Sequence, residues 1–184
     1  LAGFYFIVLG TVIFTFSPFL SAQFISNFSE TIFLWFQDFE FNASIYYIIR
    51  WMGFKIVGWN MIAIIGKILP LFVILVILLF TFLRKNKSTQ QLITSMLFGV
   101  SIYFLFSTTI HPWYIATPLL LSVFTKYNFP VIWSLAVILS YTAYGVDGFS
   151  ENLYLVALEY LLVIGFFIWE LIQLRKETVF SSKL

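Results

Sequence analysis

The chain has no cysteine and one histidine. Without thiols there are no disulfides, no zinc–thiolate centres and no cysteine nucleophile. Charge is also scarce. Asp, Glu, Lys and Arg make up 10% of the 184 residues, against about 25% in a soluble domain. Ten basic and eight acidic side chains leave a net charge of +2 without a large basic cluster, which argues against a nucleic-acid partner. No Gly-rich phosphate loop, His-Glu-x-x-His zinc motif or serine-hydrolase elbow is present. There is no internal repeat, low-complexity linker or soluble domain.

What is present is apolar. The chain is 61% hydrophobic and 22% aromatic, with a mean hydropathy of +1.00. This is the composition of an integral membrane protein. The expected fold is all-α, a polytopic bundle of about six transmembrane helices with amphipathic interfacial helices on the external face. Residues 1–20 form the first span, 21–55 an external amphipathic segment, 56–175 a five-span bundle and 176–184 a cytoplasmic tail. The chain opens on Leu1 in an apolar run, with no basic n-region or cleavage motif, so this is not a signal peptide. It reads as part of a longer chain.

Charges mark the span limits. After 3–20, the second span ends at Arg84-Lys85-Asn86-Lys87, and the later ones cover 91–110, 113–125, 130–144 and 153–174. The fourth has 13 residues, or roughly 20 Å at 1.5 Å per residue, against a hydrocarbon core of about 30 Å. Pro118 lies inside it, so it is either extended with local thinning or re-entrant. In the second, a membrane start near Ile68 is preferred to one at Ile56, because it leaves Lys67 at the interface. Alternate connections collect Arg84, Lys85, Lys87, Lys126, Arg175, Lys176 and Lys183, while the opposite set has Arg50 and Lys55, plus Lys67 if it lies shallow. The first set is therefore cytoplasmic. Segment 21–55, the His111 corner and the 145–152 turn then share the external face, which is the periplasmic side of a bacterial inner membrane.

Segment 21–55 reads as two surface helices. Ser29-Glu30 is the expected cap of the first, and Ile32, Phe33, Phe36 and Phe39/Phe41 form its stripe. Asn42-Ala43-Ser44 breaks the pattern, and Ile45, Ile48, Ile49 and Met52 restart it. The segment is either a cover over the span ends, with solvated charges, or a lid over a polar ligand. As a lid, Arg50 grips a phosphate in two places, with Lys55 and His111 as further phosphate ligands. Glu40 and Asn42 accept sugar hydroxyls. Asn42-Ala43-Ser44 also matches the N-glycosylation pattern.

His111-Pro112-Trp113-Tyr114 joins two apolar runs. It combines a group titrating near neutrality, a helix breaker and two interface-seeking aromatics. The alternatives are a site and an ordinary interfacial turn. Glu159 and Glu170, eleven apart, share one face of the last span; Glu170 is expected to snorkel, and Glu159 to be protonated or paired within the bundle. Asp147 and Glu151 read as a solvated turn with Gly145 and Gly148.

The run Phe39-Glu40-Phe41-Asn42-Ala43-Ser44-Ile45-Tyr46-Tyr47, then Arg50, and later His111-Pro112-Trp113-Tyr114 before a multi-span tail, resembles bacterial mannosyltransferase-like membrane proteins. These are common in Bacteroidetes and belong to the broad GT-C superfamily. The likeness covers about residues 21–174. It implies a polytopic glycosyltransferase passing a sugar, mannose in the nearest pattern, from a polyprenyl-phosphate donor to an external acceptor. Donor phosphate would fall to Arg50, Lys55 and His111, and sugar or acceptor to Glu40, Asn42, Trp113 and Tyr114. No cofactor is required, a divalent metal is compatible, and no acidic pair has metal-ligand spacing. In that superfamily the base is an acid in the first external loop, so this chain resembles the C-terminal part and the catalytic acid is expected elsewhere. Asp38 and Glu40, in a later loop, are the catalytic candidates that remain. The partners implied are the bilayer, the lipid-linked donor and an N-terminal half or other membrane subunits. The competing reading is a non-catalytic membrane subunit that docks a periplasmic partner. A transporter ranks last, because spans three to five carry almost nothing that ionises.

Overall fold

A computed structural model describes residues 2–37, 39–146 and 148–181. Among them are eight α-helices: α1 (Ala2–Phe16), α2 (Ala22–Gln37), α3 (Ile45–Val57), α4 (Ile62–Leu83), α5 (Thr89–Leu105), α6 (Ala116–Ser122), α7 (Phe129–Ala136) and α8 (Leu153–Ser181). A two-residue antiparallel pair, β1 (Tyr144–Gly145) and β2 (Gly148–Phe149), joins the α7 region to α8. The protein is helical, as composition demands.

Two stretches are long and apolar enough by themselves to cross a membrane, Ile62–Leu83 and Leu153–Lys176. A third arises only if Gly3–Phe19 and Ala22–Ile32, bent by 112°, count as one span. The other expected spans are shorter elements. Helix α5 has 17 residues. The expected fourth span is a 3-10 turn, Pro112–Ile115, followed by the seven residues of α6. The expected fifth is α7 followed directly by a 3-10 helix, Val137–Ala143. Proline accounts for the late helix starts. Pro112 and Pro130 each occupy the opening of their element, where a missing N–H costs nothing. Hydropathy measures apolar content, not helix continuity, so these runs read longer than they fold.

The 21–55 segment divides into α2 and α3 on either side of Asn42, as its pattern predicts. The start of α2 differs from expectation. Ser21, not Ser29, caps it, its Oγ accepting from the N–H of Phe24 at 3.0 Å. Helix α3 ends at Gly58, whose φ of 81° no side-chain-bearing residue adopts cheaply. Helix α4 starts at Ile62, between the two starts weighed from sequence. Its first N–H bonds Asn60 Oδ1 at 3.1 Å, and Lys67 lies exposed on its outer side. Ser88 and Gln91 form a reciprocal capping box that starts α5.

The main core surrounds Trp133 on α7, which is fully buried with Leu97 and Phe104 of α5 and Val156, Tyr160 and Val163 of α8. A smaller cluster, Ala43, Tyr46, Ile65 and Leu69, fixes α3 against α4. Helix α2 packs on α4, whereas the described side chains of α1 are exposed along its whole length.

Glu170 does not snorkel. It is 5% exposed and accepts from the N–H groups of Asn128 (2.7 Å) and Phe129 (3.0 Å). A carboxyl group thus caps the N-terminal end of α7 and ties α8 to it.

Candidate functional site

Residues 39–41 run extended. The N–H of Phe41 bonds the carbonyl of Thr108 (3.1 Å), and its carbonyl accepts from Ile110 (2.8 Å). Thr109 Oγ1 adds a bond to the carbonyl of Phe39 at 2.9 Å. This two-sided pairing stitches the segment to the chain leading into His111. Alternation along an extended strand sends neighbouring side chains opposite ways. Phe39 and Phe41 turn to the His111 ring, with centroids 6.1 and 5.1 Å away. Glu40 points the other way, into a polar cluster.

Glu40 is the centre of that cluster. Arg50 forms an ion pair with it. The Tyr46 hydroxyl and Asn60 Nδ2 (2.7 Å) both donate to its Oε1. The Arg50 guanidinium also lies 4.3 Å above the Tyr47 ring, a cation–π contact. The Tyr47 hydroxyl donates to Glu151. Burial first, and then the accepting carboxylate, push both tyrosine hydroxyls well above their ordinary range, so both remain proton donors.

Asn42 links this cluster to α8. Its N–H donates to Glu151 Oε1 (2.6 Å), its carbonyl accepts from the Tyr160 hydroxyl (2.7 Å), and its Nδ2 donates to Glu159 Oε1 (3.2 Å). Trp133 Nε1 reaches the same Glu159 oxygen at 3.1 Å. Asn42 has φ of 48°, in the left-handed region that asparagine tolerates better than most residues. Asn42 and Glu159 are both 0% exposed.

The expected ligand residues are only partly brought together. Glu40 and Arg50 are in contact and face the same partly open cluster, with side chains 15% and 22% exposed. Lys55, further along α3, is exposed and lies 6.0 Å from the Trp51 ring. His111 is 8% exposed and lies across the 39–41 strand from Arg50. Its ring stacks on Trp113 at 4.4 Å with planes 5° apart, and meets Tyr114 edge-on at 5.4 Å. Trp113 is 61% exposed, and Tyr114 is half-buried. Asn42 is a buried strut, with no open surface for a sugar. Its burial, with that of Ala43 and Ser44, also closes the glycosylation pattern in the folded protein. Glu151 is no solvated turn residue; it receives Tyr47 and the Asn42 N–H. Asp38 lies outside the described residues. Among the described residues no three His, Asp or Glu side chains are placed to hold a metal ion.

Reasoning from sequence missed Tyr47, Asn60, Trp133, Glu151 and Tyr160. Two had a local signal. Asn60 follows the helix-ending Gly58, and Glu151 precedes Asn152, whose Oδ1 caps α8 by accepting from the N–H of Tyr154 (3.0 Å). The others meet only through tertiary contact.

Beside the cluster, an open groove of about 490 Å³ runs between α3 and α8. Tyr47 and Tyr160 are its lining residues with polar tips, and Ala157, Leu161, Gly165 and Ile168 are among its apolar ones. From Leu153 to Ile168 it follows α8 for about 22 Å at 1.5 Å per residue. Space around Gly165 is open.

Burial lowers the pKa of His111 below its usual 6.5. Protonation is therefore costlier in the folded state than in the unfolded one. The resulting stability is fully present above about pH 6.5 and is lost as pH falls through the lower folded value. The melting midpoint of the wild type should drop on acidification in that window. His111→Phe, which keeps a ring in the stack and cannot charge, should show a shallower drop; parallel profiles would exclude His111 as the source.

No protein-family model, curated protein or solved structure matches the chain.

Proposed function

We propose that this chain is the part of a bacterial inner-membrane glycosyltransferase that holds a polyprenyl-phosphate sugar donor, with segment 21–55 and His111 on the periplasmic side. The observation that carries the proposal is the groove along α8. It lies on a helix long enough to cross a membrane, is lined mostly by apolar side chains, and includes Tyr47, whose ring carries the Arg50 guanidinium. A prenyl chain needs an apolar slot open to the bilayer, and its phosphate needs a cation at the mouth. The prenyl tail lies against Ala157, Leu161 and Gly165. Arg50 takes the phosphate in exchange for Glu40, and Trp113 and Tyr114 are open to the sugar or acceptor. The transfer itself needs a carboxylate to deprotonate the acceptor hydroxyl. Glu40 and Glu151 are both bonded inward, so the base comes from another part of the enzyme. The six-span arrangement belongs to this proposal, with α5, α6 and α7 as short or re-entrant members in a locally thinned bilayer.

The test is reconstitution in vesicles containing polyprenyl-phosphate mannose. Gly165→Phe places a ring in open groove space and should lower transfer at least tenfold at an unchanged melting midpoint. Wild-type transfer by this variant would remove the groove from the proposal.

A second reading, the non-catalytic membrane subunit, is favoured by α1, whose apolar surface is exposed all round. It predicts a stable complex with a periplasmic or membrane partner whose function does not depend on Arg50.

A further inference from the structure

Glu159 and Asn42 carry an unused hydrogen-bonding pair at the centre of the fold. Glu159 Oε1 is satisfied by two neutral donors, Asn42 Nδ2 and Trp133 Nε1. Its other oxygen, Oε2, is buried and has no hydrogen-bond partner among the described residues. The same holds for Asn42 Oδ1, on the very amide that bonds the first carboxyl oxygen. Two acceptors without donors are therefore buried on one bonded pair of side chains. An acceptor left so in a low-dielectric interior is costly, and an ionised one is costlier still.

The surrounding charges do not offset this. On the 39–44 segment Glu40 faces Arg50, the cation nearest the cluster, and the two are already paired. Glu151, before α8, bonds the Asn42 N–H and Tyr47 of α3. Tyr160 of α8 bonds the Asn42 carbonyl. From α7 comes Trp133, which is neutral. An ionised Glu159 would add a negative charge to a neighbourhood that already holds Glu40 and Glu151.

We propose that Glu159 and Asn42 form a proton-binding site: the carboxyl carries a proton on Oε2 and donates it to Asn42 Oδ1. A single proton converts one orphan acceptor into a donor and satisfies the other. The result is a closed acid–amide ring with two antiparallel hydrogen bonds, the second being Nδ2–H to Oε1. This ring fastens the 39–44 segment to α8. The segment carries Glu40, so release of the proton loosens the Glu40–Arg50 cluster from the groove wall. The inference does not depend on the sugar-transfer reading and holds equally for a non-catalytic subunit.

Infrared difference spectroscopy on the full chain in lipid nanodiscs tests it. At neutral pH the wild type should show a protonated-carboxyl stretch that moves on isotopic labelling of glutamate and is absent from Glu159→Gln. Asn42→Gly should shift that band to the frequency of a less strongly bonded acid. Glutamine reproduces the protonated pattern, one acceptor and one donor on the same frame. Glu159→Gln should therefore melt at or above the wild-type midpoint and lose the wild type's fall in stability as pH rises above about 4.3, where the unfolded carboxyl ionises. Absence of the band at neutral pH would overturn the proposal. So would a midpoint that rises with sodium in the wild type alone, since the occupant would then be a metal cation on an ionised carboxylate. A Glu159→Gln midpoint well below that of wild type would overturn it too.

Discussion

Replacing Asn42 should destabilise the protein in a fixed order: wild type above Asn42→Gly, Gly above Ala, and Asp lowest. Glycine keeps the left-handed backbone, φ 48°, and the bonds made by the main-chain N–H and carbonyl. It loses the side-chain contact with Glu159, the Nδ2 bond and with it the proposed acid–amide ring. The cost is that of a buried polar group losing a partner, about 1–3 kcal/mol. Alanine loses the same bond and adds about 1–2 kcal/mol of left-handed strain. Aspartate accepts the geometry but places a carboxylate beside Glu151 and Glu159 with no cation to compensate, at about 3–5 kcal/mol. Melting midpoints in one fixed lipid mixture read the series. Equal values for glycine and alanine would show that the left-handed backbone is not a constraint. A wild-type midpoint for glycine would remove the side chain from the fold's support.

The sequence made some of this legible. Runs bounded by charge located α4 and α8, because a long uninterrupted apolar stretch has few alternatives to a helix. The Asn42-Ala43-Ser44 break separated α2 from α3, because polar, turn-forming residues interrupt a helical stripe. Other features had no local signature. Glu170 reads as a snorkelling acid until α7, which lies 41 residues earlier in the chain, is known to begin at its carboxyl group. Glu151 reads as solvated turn until Asn42, 109 residues away, is brought to it. Arg50 reads as a phosphate ligand because its guanidinium can grip a phosphate in two places. Its partner Glu40 is ten residues earlier, across a helix break. The general reason is that buried polar side chains find their hydrogen-bond partners through tertiary contact, and sequence distance says little about which do.

The Arg50–Glu40 pair separates the two functional readings most sharply. Arg50→Ala alone is expected to cost about 1–3 kcal/mol, because Glu40 is left half-buried with only Tyr46 and Asn60 as donors. Lost activity in that variant therefore says nothing about phosphate. Glu40→Gln with Arg50→Met removes both charges and keeps similar bulk, so the melting midpoint should return close to wild type. If Arg50 grips the donor phosphate, transfer in this double variant stays depressed by about a hundredfold, the equivalent of one charged hydrogen-bonded contact worth about 3 kcal/mol. Glu40→Gln alone frees the guanidinium from its ion pair, and should raise affinity for polyprenyl phosphate several-fold while KM for the acceptor stays put. A double variant that is both stable and fully active would make the pair a strut between α3 and the 39–41 strand, and the donor's phosphate would have to be held by residues of another chain or segment.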